Sequence, residues 1–227
     1  TWQLWGGAYF IMLSVQDGGT EKVYKLKVGT DTNFAVLSAA NSTSTTAFDF
    51  AISGNYLFFG NGTDMWKYDG TTVTKWGIAK PAAAPTVTPG AGTLSPTSGY
   101  RYKVAFGTTT HVGDISDAAL TTGAGTARKY TITGSTTSDG QVTRVYIYRT
   151  TDGGGTYFYV TDVAYSGSWT YDDTTTDVAL STILAPDKAQ NQPPVASRGT
   201  TFFANRLWTH TGDTVYFSNF EEQHTGP

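Results

Sequence analysis

Three histidines are the first place to look for chemistry in this chain of 227 residues: His111, His210 and His224, each isolated from the others. A zinc centre or an activated nucleophile needs imidazole and carboxylate groups converging at ligand spacing. No such cluster is spelled out around any of the three, and His210 falls in a hairpin turn, where it is expected to face solvent. Asp172-Asp173 and nearby Asp177 offer oxygen ligands of the kind calcium takes. Their spacing lacks an EF-hand layout, and adjacent acids in a loop are ordinarily solvated. Trp66, Trp76, Trp169 and Trp208 have rings that can stack on sugars, but aromatics alternating along strands read first as core or interface. The run Thr150-Thr-Asp152-Gly-Gly154-Gly-Thr156-Tyr157 carries the Asp and Gly chemistry of a turn between two strands. No Gly-x-Ser-x-Gly elbow, P-loop or dinucleotide fingerprint is present. The residues therefore assign no catalytic, cofactor-binding or metal-binding position, and no cofactor is expected.

The elements that would position such groups are strands. One hairpin pattern occurs twice without a gap, 150 positions apart. Asn55-Tyr-Leu57-Phe58, a turn through Gly62, then Met65-Trp66 is matched by Asn205-Arg-Leu207-Trp208, a turn through Gly212, then Val215-Tyr216. A looser relative covers residues 9–15, Asp17-Gly18-Gly19 and Val23-Tyr24-Lys25-Leu26. Residues 9–15 are apolar enough for a buried strand, and 21–27 alternate as a half-exposed strand should. Asp17-Gly18-Gly19 supplies the positive φ angles of a hairpin turn. Residues 33–46, rich in Ser, Thr and Ala, are expected to be loop. Further strands are expected at 48–52 and 73–76.

Lys80-Pro81-Ala82-Ala83-Ala84-Pro85 has the composition of a stiff linker, and Pro193-Pro194 marks a second one. Between them, strands are expected at 100–106, 129–133, 142–149, 156–163 and 168–171. Tyr100, Tyr102, Val104 and Phe106 share one face of the first. Val145, Ile147 and Arg149 alternate with Tyr146 and Tyr148 in another. About seven short strands in ~100 residues point to an immunoglobulin-like sandwich. The expected organisation is a propeller-like β repeat over 1–80, an inserted sandwich over 86–187, and the repeat resumed over 193–227. The fold class is all-β. The flanks at both ends read as the middle of a larger protein.

Composition agrees. Charged residues make up 15 % of the chain against 14 % aromatics and 26 glycines, which suits many strands and tight turns and argues against long helices and disorder. The net charge of −3 offers no basic field to nucleic acid or to an anionic membrane. Residues 1–84 hold six basic and six acidic groups, so the small acidic excess lies in the middle module. The absence of cysteine removes disulfides and Cys-ligated zinc, and no apolar run reaches the ~18 residues of a membrane span.

The middle module resembles the fibronectin type III or immunoglobulin-like domains of bacteriophage virion proteins. The likeness is carried by Tyr100-Arg-Tyr-Lys-Val-Ala-Phe106, the loop Gly113-Asp114-Ile115-Ser116, the Ile147-Tyr148-Arg149-Thr150 strand end, and the closing Tyr171-Asp172-Asp173 and Ala179-Leu180. The flanks are similar to the propeller-type repeats of phage tail hub or nozzle proteins, through residues 205–208 and Val215-Tyr-Phe-Ser218. Residues 150–157 also approximate the Asp-box of sialidase propellers. In sialidases that box forms a turn, and a glycosidase further needs a carboxylate pair that nothing here places. The resemblance implies a non-enzymatic structural protein of the phage tail, a homo-oligomer located in the virion and assembled in the host cytoplasm. Its implied partners are other copies of itself and neighbouring tail proteins, with DNA passing transiently and without specific binding, and no membrane. A carbohydrate-recognition module that reads a host glycan is the alternative, and a glycosidase fragment stands third.

Overall fold

The computed structural model describes residues 2–5, 8–37, 40–121, 123–186 and 197–218. These form an all-β chain in which every strand pairing is antiparallel. Strands β1 (Trp2–Trp5), β2 (Ala8–Asp17), β3 (Thr20–Lys27) and β4 (Ala35–Val36) make one meander in sequence order. Strands β5 (Asp49–Ser53), β6 (Tyr56–Gly60), β7 (Met65–Tyr68) and β8 (Val73–Lys75) make a second. The middle of the chain contributes β9 (Thr86–Leu94), β10 (Arg101–Gly107), β11 (Val112–Ile115), β12 (Ala119–Leu120), β13 (Arg128–Thr133), β14 (Arg144–Arg149), β15 (Phe158–Ala164) and β16 (Thr170–Asp173). A last meander is β17 (Arg198–Phe203), β18 (Arg206–Thr211) and β19 (Thr214–Phe217). Residues up to 76 together with 197–218 form one compact unit, and residues 77–186 form the other.

In the first unit, the period of two along β6 decides the architecture. Leu57 and Phe59, both fully buried, point to one face and pack with Met12, Val23, Phe48 and Tyr68, so the first meander covers that side. Phe58 points to the opposite face and packs with Ala51, Leu207 and Trp76, so the β17–β19 meander covers the other. Three sheets are thus stacked with the β5–β8 sheet in the middle. Among the described residues they do not close into a barrel or a propeller. The segment 33–46 is not wholly loop. Ala35 and Val36 pair with Lys25 and Tyr24, and Ser42 bridges to Glu21. Two paired residues bounded by polar runs carry too short a pattern to be read as a strand.

The repeated hairpin recurs with the same pairing from its turn out to Gly60 and His210, beyond which β17 carries a bulge between Arg198 and Thr201 that β5 lacks. Leu57 pairs Ile52 on one side, and Phe58, Phe59 and Gly60 face Lys67, Trp66 and Met65 on the other. Leu207 pairs Phe202, and Trp208, Thr209 and His210 face Phe217, Tyr216 and Val215. Every one of these pairs is displaced by the same 150 positions. Leu57 and Leu207 both face the sheet that precedes them in the chain. The first turn puts Gly54 at φ +53, and the second puts Ala204 and Asn205 at +49 and +59. Only the second turn has left-handed φ at both central residues, the tight-hairpin geometry that asparagine tolerates better than most residues.

The second unit is two sheets, β16-β13-β9 and β11-β10-β14-β15 with β12 also on β10, closed over one core. Tyr130 and Ile132 come from the first sheet and Tyr102, Val104, Phe106, Val145 and Ile147 from the second. The face of β10 that carries Tyr102, Val104 and Phe106 is the inward one, and along β14 it is Val145, Ile147 and Arg149 that point inward. Strands β9, β11 and β12 were not expected. Pro89, Gly90 and Gly92 break the strand pattern of β9, but β9 is an edge strand, where a missing N–H is tolerated. The unit also begins earlier than the proline linker suggests. Ile78 is part of the core, Gln141 Nε2 donates to the Gly77 carbonyl, and the Ala79 N–H donates to Asp139. The expected second linker, Pro193-Pro194, and the closing segment 219–227 lie outside the described residues.

Candidate functional site

The densest charged cluster lies inside the sandwich unit, where β14 ends. Alternation places Arg149 on the same inward face as Val145 and Ile147, and its side chain is fully buried. Its Nη1 donates to Asp173 at 2.9 Å and to the Thr175 carbonyl, Nη2 donates to Asp177 at 2.9 Å, and Nε donates to the Thr150 carbonyl. The guanidinium plane stacks over the Tyr100 ring, 4.1 Å from its centroid. Asp173, equally buried, also accepts from the Tyr102 hydroxyl at 2.7 Å and from the Thr175 N–H. Burial works against the arginine charge, but Asp173, the two tyrosines and Asp177 more than offset it, so the guanidinium pKa is raised. Burial, reinforced by Asp173, pushes the Tyr102 phenol up strongly, and burial takes Tyr100 to about 12. Arg149 is thus held as the cation and the Tyr100 and Tyr102 phenols as the neutral form.

Asp177 links this cluster to the turn 150–157 by accepting from the Asp152 N–H. The Asp152 carboxylate does not stay within its own turn. It accepts from the N–H groups of Thr97, Ser98 and Gly99 at 2.6, 2.8 and 2.7 Å and from the Thr97 hydroxyl. Partial burial raises its pKa, but those bonds to the ionised form outweigh it, and the group sits at about 2. The arrangement is an anion nest built by one loop for a carboxylate from another. It fastens the β9–β10 connection to the β14–β15 connection, and Gly99 at φ +96 lets the loop wrap the acid.

Of the aspartates read as possible calcium ligands, Asp173 and Asp177 both pair with Arg149. Asp173 points into the core towards Arg149, whereas Asp172 points outward to Lys129 and the Thr131 hydroxyl. Among the described residues, no group of three or more acidic or histidine side chains is arranged to hold a metal. His111 is exposed, with Nδ1 beside the Thr110 hydroxyl. His210 is exposed near the end of β18, its Nδ1 3.2 Å from the Gly212 carbonyl. His224 lies outside the described residues.

The tryptophans split by unit. Trp169 is buried in the sandwich core and its Nε1 donates to the Ser135 carbonyl. Trp66 is half-buried under the Lys75 ammonium, 3.7 Å from the ring centroid, and that ammonium is also paired with Asp64. Trp76 packs on Phe58 inside the sheet stack. Trp208 lies on the outer face of β17–β19 against Phe217, with its Nε1 bonded to the Phe203 carbonyl. A shallow open hollow on that face is lined by Gly199, Thr201, Trp208, His210, Asp213 and Val215. The sequence missed both the Arg149 cluster and this outer face. The first had a signal, a cationic residue on an otherwise apolar inward row with three acids downstream.

No family model, curated protein or solved structure matches this chain.

Proposed function

We propose that this chain is a non-enzymatic structural component of a bacteriophage virion, a wall-forming segment of the tail of nozzle or hub type. In finer terms, the stacked meanders are read as propeller-type blades. The inserted unit is read as an immunoglobulin- or fibronectin type III-like sandwich. The protein would act as a homo-oligomeric ring around or near the DNA passage, contacting its own copies and neighbouring tail proteins, and would be assembled in the host cytoplasm.

One observation carries this reading. The same hairpin recurs at constant register 150 residues apart, with its leucine facing the preceding sheet each time, and a self-contained sandwich is spliced between the copies. Such a design invests in rigidity. Each sheet is hydrogen-bonded edge to edge and buried on at least one face, and the buried charges of the sandwich are engaged in holding loops together. The absence of a basic field suits a wall that DNA slides past, since a row of phosphate-binding cations would hold it.

Electron microscopy of the full-length protein and of virions labelled with antibody against the sandwich is the direct test. The expected result is a ring with a central channel and label on the tail. Label on no part of a virion, with isolated protein binding a glycan array, would replace this reading with the carbohydrate-recognition one.

A further inference from the structure

The three-sheet stack leaves apolar faces uncovered at both of its ends, and the stacking rule inside it says what covers them. Within the stack, the outer face of the β5–β8 sheet carries Phe58 and Ala51, and Leu207 of the following sheet buries them, leaving Phe58 only 8 % exposed. The residues one repeat later are Trp208 and Thr201, on the outer face of β17–β19. There they share a surface with Phe203, Val215 and Phe217, which are 70, 60 and 56 % exposed. At the other end, the face of β2–β4 turned away from Met12 and Val23 carries Ile11, Leu13, Val15, Tyr24, Leu26 and Val36. Leu13, Val15 and Val36 are each about two-fifths exposed. Contiguous apolar surface of this kind marks an interaction site.

The two ends are not alike. One is the trailing face of the last sheet and the other is the leading face of the first. A trailing face against a leading face is the contact the stack already makes twice internally. We infer that the occupant of the trailing face is the leading face of a second copy of this chain. Copies then associate head to tail, β17–β19 of one on β1–β4 of the next. Such a heterologous contact closes into a ring or extends into a column, depending on the rotation per copy. The inference rests on the stacked-repeat part of the proposed function and names its self-contact.

The absence of cysteine makes the test clean. Leu13→Cys and Phe217→Cys place one thiol on each end, both on exposed side chains whose replacement leaves the cores intact. With a short bis-maleimide, the mixture of the two variants should give a covalent dimer, while each variant alone should give none. Phe203→Asp combined with Phe217→Asp should weaken the self-association of the unmodified chain by roughly tenfold or more, measured by sedimentation, as expected for losing central aromatic anchors. Crosslinking of either variant with itself would instead show a two-fold contact and overturn the head-to-tail assignment. A chain that stays monomeric and uncrosslinked at high concentration would overturn self-docking altogether, yet full-length virion labelling could still succeed, so the two failures are distinguishable.

Discussion

The two compact units solve burial in opposite ways. The sandwich closes on itself: two sheets share one core, the buried Arg149 and Asp173 pair with each other, and among its described side chains the exposed large apolar ones are Val178, Ile183 and Leu184, outside its strands. The sheet stack is open-ended: its interfaces are apolar and repetitive, and it shows apolar side chains at both outer faces. The difference separates a part that is finished within one chain from a part built to be continued. It also separates two kinds of specificity. In the sandwich a polar network fixes which loop meets which. In the stack the register of one hairpin does so.

The sharpest way to break the comparison is to attack the polar network. Arg149→Met leaves Asp173 buried without its cation, and truncating one partner of a buried pair costs about 3–5 kcal/mol. Segment-resolved hydrogen exchange should show protection lost across residues 77–186 and kept in the stack. Adding Asp173→Asn should recover part of the loss, because the amide oxygen still accepts from Tyr102 and no buried anion remains. Uniform loss in both units would mean that they do not fold as separate bodies.

The apolar interfaces of the stack should respond to cavities in proportion to how completely they are enclosed. Leu57→Ala removes a side chain with no exposure, packed between two sheets, and should cost about 2–5 kcal/mol. Leu207→Ala should cost less, since its side chain keeps 7 % of its exposure and packs in a smaller cluster with Ala51, Phe58 and Trp76. Urea midpoints of the two variants supply the ranking. Equal costs would argue that the outer sheet is as firmly held as the inner one.

Much of this difference could be read from the residues, and the unread part has a physical cause. The hairpin repeat was legible because leucine, aromatic and turn residues recur at fixed offsets along strands whose period of two makes the facing explicit. The faces of β10 and β14 were legible for the same reason. Strand β9 was hidden by Pro89 and two glycines, which only an edge position accommodates, and β4 was too short to carry a pattern. The partners of Asp152 lie 53 to 55 positions away in the chain, and all but the Thr97 hydroxyl are backbone N–H groups with no side-chain signature. The acids at 172, 173 and 177 looked like one cluster on paper. Alternation along β16 sends Asp172 and Asp173 to opposite faces, so one meets water and the other meets Arg149.

The loop nest around Asp152 sharpens the comparison through pH. Its folded pKa, about 2, lies below the ordinary aspartate value of about 3.9. Between those values the unfolded chain binds more protons than the folded one, so stability rises with pH there. The contribution is complete above about pH 4 and is lost as pH falls through about 2. Asp152→Asn should lower stability near neutrality by up to about 3 kcal/mol, the upper end for hydrogen bonds to a charged group. It should also flatten the acid limb of the sandwich transition while leaving the stack's unchanged. An unaltered acid limb in the variant would locate the acid sensitivity elsewhere.

The smallest effect should come from the acid next to the buried one. Asp172 has its pKa lowered by its bond to Lys129 and, secondarily, to the Thr131 hydroxyl, but it is exposed, and water competes for all three groups. Surface pairs of this kind contribute little and less still in salt. Asp172→Asn should therefore leave the urea midpoint where it is at moderate ionic strength, while Asp173→Asn, one residue along the same strand, should move it clearly. A comparable loss at both positions would mean that alternation along β16 fails to separate water from core, and with it the distinction between a sandwich stabilised by an interior network and a stack stabilised by its faces.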